Sequence, residues 1–207
     1  MKHIADSTVR RLSTYLRFLE EFEARGLATI SSDELARQAG ATSAQVRKDL
    51  SFFGSFGKRG LGYSVAELAG RLREILGLGR EWRVIIIGAG KIGAALAQYH
   101  GFRERGFTIL AAYDANAEKV GRTLEGIEVR DIDRLESDVR RERPDIAVLT
   151  VPATAAQALL DRVVKTGIKA VLNFAPTQLQ APADVAVKTV NMAMELEGLS
   201  YALTNRE

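Results

Sequence analysis

Val84-Ile85-Ile86-Ile87-Gly88-Ala89-Gly90-Lys91-Ile92-Gly93 decides the fold of this 207-residue chain. A β-branched run suits a strand buried on both faces, as in a parallel sheet. It ends in a G-x-G-x-x-G turn, and Ala94, Ala95, Leu96 and Ala97 continue in a helical pattern. In such a turn Gly88 permits the tight bend, Gly90 lets backbone approach a pyrophosphate, and Gly93 lets helix and strand pack closely. The first N–H groups of the helix, from Lys91 and Ile92 onward, then point toward phosphates. The turn therefore predicts a Rossmann-like α/β domain.

Downstream the pattern continues. The helix is expected to run to about Tyr99, and Phe107 to Tyr113 reads as a second strand ending at Asp114. That carboxylate lies 21 residues beyond Gly93, where an acid accepts hydrogen bonds from the adenosine ribose of a dinucleotide. It also repels a 2′-phosphate, so NAD, as NADH or NAD+, is favoured over its phosphorylated counterpart. Ile127 to Val129, Ile146 to Val151, Ala170 to Asn173 and Val185 to Val190 read as further strands, with helices over 132–143 and 153–165. Ligands in such sheets sit beyond the carboxyl ends of the strands. Val151, Pro152 and Phe174 lie at those ends and can face a nicotinamide, or form ordinary strand-to-loop turns. The chain closes on an amphipathic stretch with Met192, Leu196, Leu199 and Leu203 on one face, to pack on its own domain or on a partner subunit.

The residues before the turn need a separate account. They carry 13 Lys/Arg against 9 Asp/Glu over residues 1–80, whereas residues 81–207 carry 16 against 17. A basic part joined to a neutral nucleotide fold hints at a polyanionic partner. Ser7 is placed to cap a helix carrying Val9, Leu12, Leu16 and Leu19, with Gly26 ending it. Ser31-Ser32-Asp33-Glu34 and Thr42-Ser43-Ala44-Gln45 are capping boxes. They open a short helix that stops at Gly40 and a third helix with Val46, Leu50 and Phe53 apolar. Two capped helices across a short turn form a helix-turn-helix pattern. The polar face of the third helix offers Ser43, Gln45, Arg47, Lys48 and Ser51 to a major groove, where arginine can hold guanine and glutamine adenine. The alternative is a solvated face on a structural three-helix bundle. Gly54 to Tyr63 then supplies four glycines, two aromatic residues and a Lys-Arg pair. This suits a β-hairpin wing whose Lys58, Arg59 and Gly60 approach a minor groove or clamp phosphates. A helix with Val65, Leu68, Leu72, Ile75 and Leu76 follows, and Gly77-Leu78-Gly79 reads as a hinge.

Composition excludes several classes. There are no cysteines, which removes disulfides, thiolate metal sites and cysteine nucleophiles. No signal peptide and no membrane-length apolar run is visible, so a cytoplasmic protein without a membrane partner is expected. The histidines are His3 and His100, no metal site is expected, and no catalytic constellation appears. The nucleotide half leaves no room for a substrate domain, which argues against enzymatic turnover.

A winged helix-turn-helix joined to an NAD-type Rossmann domain resembles the Rex family of redox-sensing transcriptional repressors. The resemblance is carried by Gln45-Val46-Arg47-Lys48-Asp49-Leu50-Ser51-Phe52-Phe53-Gly54, by Phe56-Gly57-Lys58-Arg59-Gly60-Leu61-Gly62-Tyr63, by the glycine turn, and by Gly167-Ile168-Lys169 with Leu172-Asn173-Phe174-Ala175-Pro176. It implies a DNA-binding domain over 1–79, an NAD(H)-binding domain over 80–190 and a domain-swapped helix over 191–207 that makes a homodimer. It also implies an inverted-repeat operator in double-stranded DNA, genes of respiration and fermentation, and release from the operator by NADH. The family's switch residues map onto Arg17 and Tyr99. Where some members carry an acid before the swapped helix, this chain has Asn191, which can hydrogen-bond but cannot form a salt bridge.

Overall fold

The computed structural model describes residues 4–57 and 61–205. Lys58, Arg59 and Gly60, expected at the tip of the wing, lie outside the described residues, as does His3. The chain separates into two compact units that meet between Arg80 and Glu81.

In the first unit, α1 (Asp6–Ala24) begins after Ala5, which makes no side-chain cap, so Ser7 lies inside the helix rather than capping it. A short strand β1 (Thr29–Ile30) precedes α2 (Ser32–Ala39). The Ser31 hydroxyl accepts from the Glu34 N–H, and Gly40 ends α2 in the left-handed region. Thr42 caps α3 (Ser43–Ser51) by accepting from the Gln45 N–H. Strand β2 (Tyr63–Ser64) pairs antiparallel with β1, Ile30 opposite Tyr63. No strand forms over 52–57, Tyr63 pairs with a strand 33 residues upstream, and the tip of the expected hairpin lies outside the described residues. The β-branched pair Thr29–Ile30 supplies that partner, and it was too short to stand out as a strand. Ser64 caps α4 (Val65–Ile75). Leu12, Leu16 and Leu19 of α1, Leu35 of α2, Val46 and Leu50 of α3, and Leu68 and Leu72 of α4 form one buried core. These are the positions that helical spacing picks out.

The second unit opens with β3 (Trp82–Ile87), whose Val84 to Ile87 are all buried. Alternate residues serve two cores, with Ile85 and Ile87 on one face of the sheet and Val84 and Ile86 on the other. After α5 (Lys91–Ala97) and α6 (Gly101–Glu104) come β4 (Phe107–Asp114), β5 (Thr123–Leu124) and β6 (Ile127–Asp131). The helix after the glycine turn thus stops at Ala97, two residues before the expected end, and a separate turn of helix follows. A 3-10 turn over Ile132–Arg134, capped by the Asp131 carboxylate, leads into α7 (Leu135–Glu142). The remaining elements are β7 (Ile146–Leu149), α8 (Ala153–Lys165), β8 (Ala170–Asn173), β9 (Ala186–Thr189) and α9 (Met192–Thr204).

The seven strands lie in the order β5-β6-β4-β3-β7-β8-β9. All neighbours are parallel except β5 against β6. The parallel strands follow the 3-2-1-4-5-6 order of the Rossmann fold. The chain moves outward from β3 to β4 and β6, then returns to lay β7 on the other side of β3. That reversal places a crevice beyond the carboxyl ends of β3 and β7.

Candidate nucleotide cleft and nucleic-acid face

A cleft of about 920 Å³ occupies the crevice, with Ile87 from β3 and Gly88 just after it, Tyr113 and Asp114 from β4, and Thr150 and Val151 after β7 in its wall. That volume is in the upper part of the usual range for ligand clefts. The three glycines of the turn sit in three different environments. Gly88 has φ +103°, and a Cβ there would come within 2.5 Å of the Thr150 carbonyl oxygen. A Cβ on Gly93 would stand 1.9 Å from the Gly88 carbonyl oxygen, so α5 lies directly on the strand end. At Gly90 a Cβ would meet nothing within 4 Å. Its missing side chain leaves open space toward the cleft, the kind of cradle a pyrophosphate fills. The Thr150 hydroxyl donates to the Gly88 carbonyl at 2.6 Å and ties the turn to the end of β7.

Asp114 closes the same corner. Its carboxylate accepts from the Ala89 N–H at 2.8 Å, the Asn116 N–H at 2.8 Å and the Lys119 ammonium at 2.9 Å. Burial pushes its pKa up, but the Asn116 N–H, Lys119 and the Ala89 N–H together hold it below the usual aspartate value. The group is anionic at neutral pH and held in place. Sequence reasoning missed Lys119. It also missed the apolar floor made by Ile132 and Leu159 and the guanidinium of Arg162, which also line the cleft. Arg162 is fixed by two bonds to the Glu136 carboxylate, at 2.7 and 2.9 Å. Helix α8 brings Leu159 and Arg162 to the cleft at i and i+3, a helical spacing visible in the sequence once the β7–α8 turn is taken as the cleft wall.

The expected cofactor residues divide. Gly88, Gly90, Lys91, Ile92, Asp114, Val151 and Pro152 line the cleft. Ala89 and Gly93 do not; the first directs its N–H to Asp114 and the second packs against the turn. Phe174 is corrected: it packs against the core cluster that holds Val84, Ile86 and Val148, whereas Val151 packs against the core on the opposite face of the sheet. The β7–β8 register pairs Leu149 with Asn173, which sets Phe174 beside Thr150 and one residue out of step with Val151, and successive side chains at a strand end alternate between faces. Helix α5 has seven residues, so its dipole is short. The polar groups at hand for a phosphate are the turn's own N–H groups and the Lys91 ammonium.

On the first unit, α3 shows Arg47 and Lys48 exposed. The Arg47 guanidinium donates to the Ser32 hydroxyl at 2.9 Å, and the Ser51 hydroxyl donates to the Lys48 carbonyl at 2.7 Å. Ser43 is half-buried. Gln45 is turned inward, with its side-chain NH2 on the buried Asp49 carboxylate at 2.7 Å. Of the switch residues, Arg17 is exposed on α1. The Tyr99 ring stands edge-on to Phe102 at 5.0 Å. The Asn191 side-chain amide oxygen accepts from the N–H groups of Ala193 and Met194, capping α9. None of the described residues of α9 is buried, and Met192, Met194, Leu196, Leu199, Tyr201 and Leu203 are each at least 62% exposed. Among the described residues no cluster of His, Cys, Asp or Glu could hold a metal ion, and no helix is long and apolar enough to cross a membrane.

Two family models match the chain. One, described as "CoA binding domain", covers residues 79–177, and one described as "Putative DNA-binding protein N-terminus" covers residues 3–51. The redox-sensing transcriptional repressor Rex of Syntrophomonas wolfei is 47% identical, with 98% of each chain covered. Rex of Carboxydothermus hydrogenoformans is 46% identical over 96% of this chain and 95% of its own. Among solved structures, a Rex-family repressor, RSP, in complex with NAD+ and operator DNA matches at a TM-score of 0.93 and 39% identity, covering 98% of this chain and 94% of that one. The same repressor with NADH matches at 0.89 and 38%, covering 98% and 95%.

Proposed function

This chain belongs to the Rex family of redox-sensing transcriptional repressors, and from that premise we propose that it binds operator DNA when NADH is scarce and leaves it when NADH accumulates. The observation that carries this reading is the pairing, in one chain, of a capped helix-turn-helix exposing Arg47 and Lys48 with a glycine-turn cleft closed by Asp114. The nucleotide is a signal here, not a hydride donor in turnover, and the protein is a regulator rather than an enzyme.

In this reading the labour is divided along the chain. Residues 1–79 bind DNA, residues 80–190 bind NAD(H), and the helix over 191–207 joins two copies. Gly90 and Lys91 face the pyrophosphate, Asp114 holds the adenosine ribose, and Val151 and Pro152 face the nicotinamide. Arg47 and Lys48 read the major groove of an inverted repeat, with Ser43 and Ser51 on the flanking backbone and Lys58, Arg59 and Gly60 at the minor groove. Arg17, Tyr99 and Asn191 couple nucleotide state to the placement of the two DNA-binding units. The protein acts in the cytoplasm on genes of respiration and fermentation.

The physics of the switch is linkage. NADH shifts DNA affinity only by binding one dimer geometry better than the other. That geometry places the two recognition helices off the spacing of successive major grooves, roughly 34–36 Å. Reciprocity then requires operator DNA to weaken NADH binding by the same factor. A gel shift on an inverted-repeat operator, titrated with NADH at fixed NAD+, tests the reading. Release as the ratio rises is expected; retention at every ratio overturns it.

A further inference from the structure

Asp49 is fully buried, although it lies on the nine-residue helix α3 whose outer face carries Arg47 and Lys48. Three side chains donate four hydrogen bonds to its carboxylate. Arg11 of α1 gives two in a fork, Nε at 2.6 Å and a terminal nitrogen at 2.7 Å. Tyr15 of α1 gives its hydroxyl at 3.0 Å, and Gln45 of α3 gives its NH2 at 2.7 Å. The same terminal nitrogen of Arg11 also donates to the Thr8 hydroxyl at 3.0 Å.

A carboxylate buried like this is costly unless it is paired and its remaining lone pairs are met. Here they are met. Burial raises the Asp49 pKa, and Arg11, Gln45 and Tyr15 outweigh that and leave it lowered. Burial, then the neighbouring Asp49, pushes the Tyr15 hydroxyl up to about 12. The two-pronged arginine contact fixes direction as well as distance.

Helix geometry makes the consequence specific. Residues two apart on an α-helix point roughly 200° apart, and residues four apart share a face. Pinning Asp49 inward therefore turns Arg47 outward. Gln45 stands four residues before Asp49, on the inward face, which is why its NH2 meets the carboxylate.

We propose that Asp49 is a positioning residue for operator readout. It fixes the rotation of α3 against α1 so that Arg47 and Lys48 present to base edges, and it keeps the Gln45 carboxamide off the bases. The inference rests on α3 being the recognition helix, and the test separates the two.

The full-length protein is compared as wild type, Asp49→Asn, Tyr15→Phe, Gln45→Ala and Arg47→Ala. Each is titrated against an operator duplex, a scrambled duplex and single-base-pair operator variants at several salt concentrations. Asp49→Asn should lower the operator-to-scrambled affinity ratio by at least about tenfold, the scale of one charged hydrogen bond. Tyr15→Phe keeps the Arg11–Asp49 pair, so it should fold and lower the ratio by a few-fold. In both, scrambled-duplex affinity and its salt slope should stay at the wild-type level, because exposed phosphate-binding side chains are untouched. Gln45→Ala should relax preference at no single base pair. A wild-type ratio in both Asp49→Asn and Tyr15→Phe overturns the proposal. So does equal weakening on both duplexes, the mark of a merely structural role, or relaxation at one base pair in Gln45→Ala. If Arg47→Ala keeps the operator preference, the recognition-helix reading itself fails.

Discussion

The carboxylate of Asp114 accepts the backbone N–H of Ala89 at 2.8 Å, so the acid at the end of β4 and the glycine turn at the end of β3 are joined by a direct bond. Gly88 contributes to the same junction by donating its N–H to the Tyr113 carbonyl at 2.7 Å. On the proposed reading, a dinucleotide that reaches the turn with its phosphates would meet an acid already oriented for its sugar. Replacing Asp114 removes one tie of the turn and, on the proposed reading, a ribose acceptor as well.

Asp114→Ala should therefore weaken NADH binding by about tenfold to a hundredfold, the range for removing a hydrogen bond to a charged group. The variant should remain on the operator at NADH levels that release the wild type. A fluorescence titration with unchanged affinity would remove Asp114 from the site.

The glycines at 90 and 93 should respond in opposite ways. Gly93→Ala places a Cβ where the Gly88 carbonyl oxygen stands at 1.9 Å, and overpacking of that kind costs about 1–3 kcal/mol or more. A lowered melting temperature is expected. Gly90→Ala has room in the unliganded protein and should cost less than about 1 kcal/mol of stability as a helix-cap change. Its expected loss is in NADH affinity. Thermal melts with and without NADH distinguish the two, and equal destabilisation would contradict the separate roles.

Arg47→Ala should abolish selection of the operator while NADH still binds. Lys58→Ala or Arg59→Ala should instead lower affinity for all duplexes and reduce the salt slope by about one for each phosphate left unneutralised. A wild-type base preference in the Arg47 variant, measured by gel shift, would contradict this assignment.

Helix α9 leaves Leu196, Leu199 and Leu203 on one stripe, 67%, 62% and 67% exposed. Contiguous apolar surface of this kind marks an association site. Leu199→Asp should shift the protein toward monomer in sedimentation velocity and weaken operator binding with it. A dimer of undiminished stability would place the interface elsewhere.

Acid should unfold the chain in a predictable window. Asp49, Asp114, Glu136 and Glu142 all have folded pKa values below their ordinary ones. Each therefore binds fewer protons folded than unfolded. The stability they contribute is fully present above the unfolded values and is lost as pH falls through the lower, folded ones. Melting temperature should drop with falling pH from the ordinary glutamate value of 4.5 and more steeply below the ordinary aspartate value of 3.8. Asp49→Asn should flatten part of that slope; an unchanged slope would show that Asp49 is not ionised in the fold.

Much of this was legible in the chain itself. The run Val84 to Ile87 with Gly88, Gly90 and Gly93 specified a buried strand, a tight turn and a close helix. Ser31 and Thr42 marked the starts of α2 and α3, because a cap is a local bond between neighbours in sequence. Lys119 and Arg162 were not legible as cleft residues, since chain separation hides which helix returns to the crevice.

Sequence alone determined the six parallel strands, the caps at Ser31 and Thr42, the turn and the acid at position 114, all of which rest on interactions within a few residues or on a fixed periodicity. Tertiary structure alone decided which side chains share a site. It put Phe174 on the opposite face of the sheet from Val151, paired Tyr63 with Ile30, and brought Arg11 and Tyr15 onto Asp49, turning Gln45 away from the outer face of α3. Those outcomes depend on packing between segments far apart in the chain, where the burial of a charge or a ring is settled by what meets it in space.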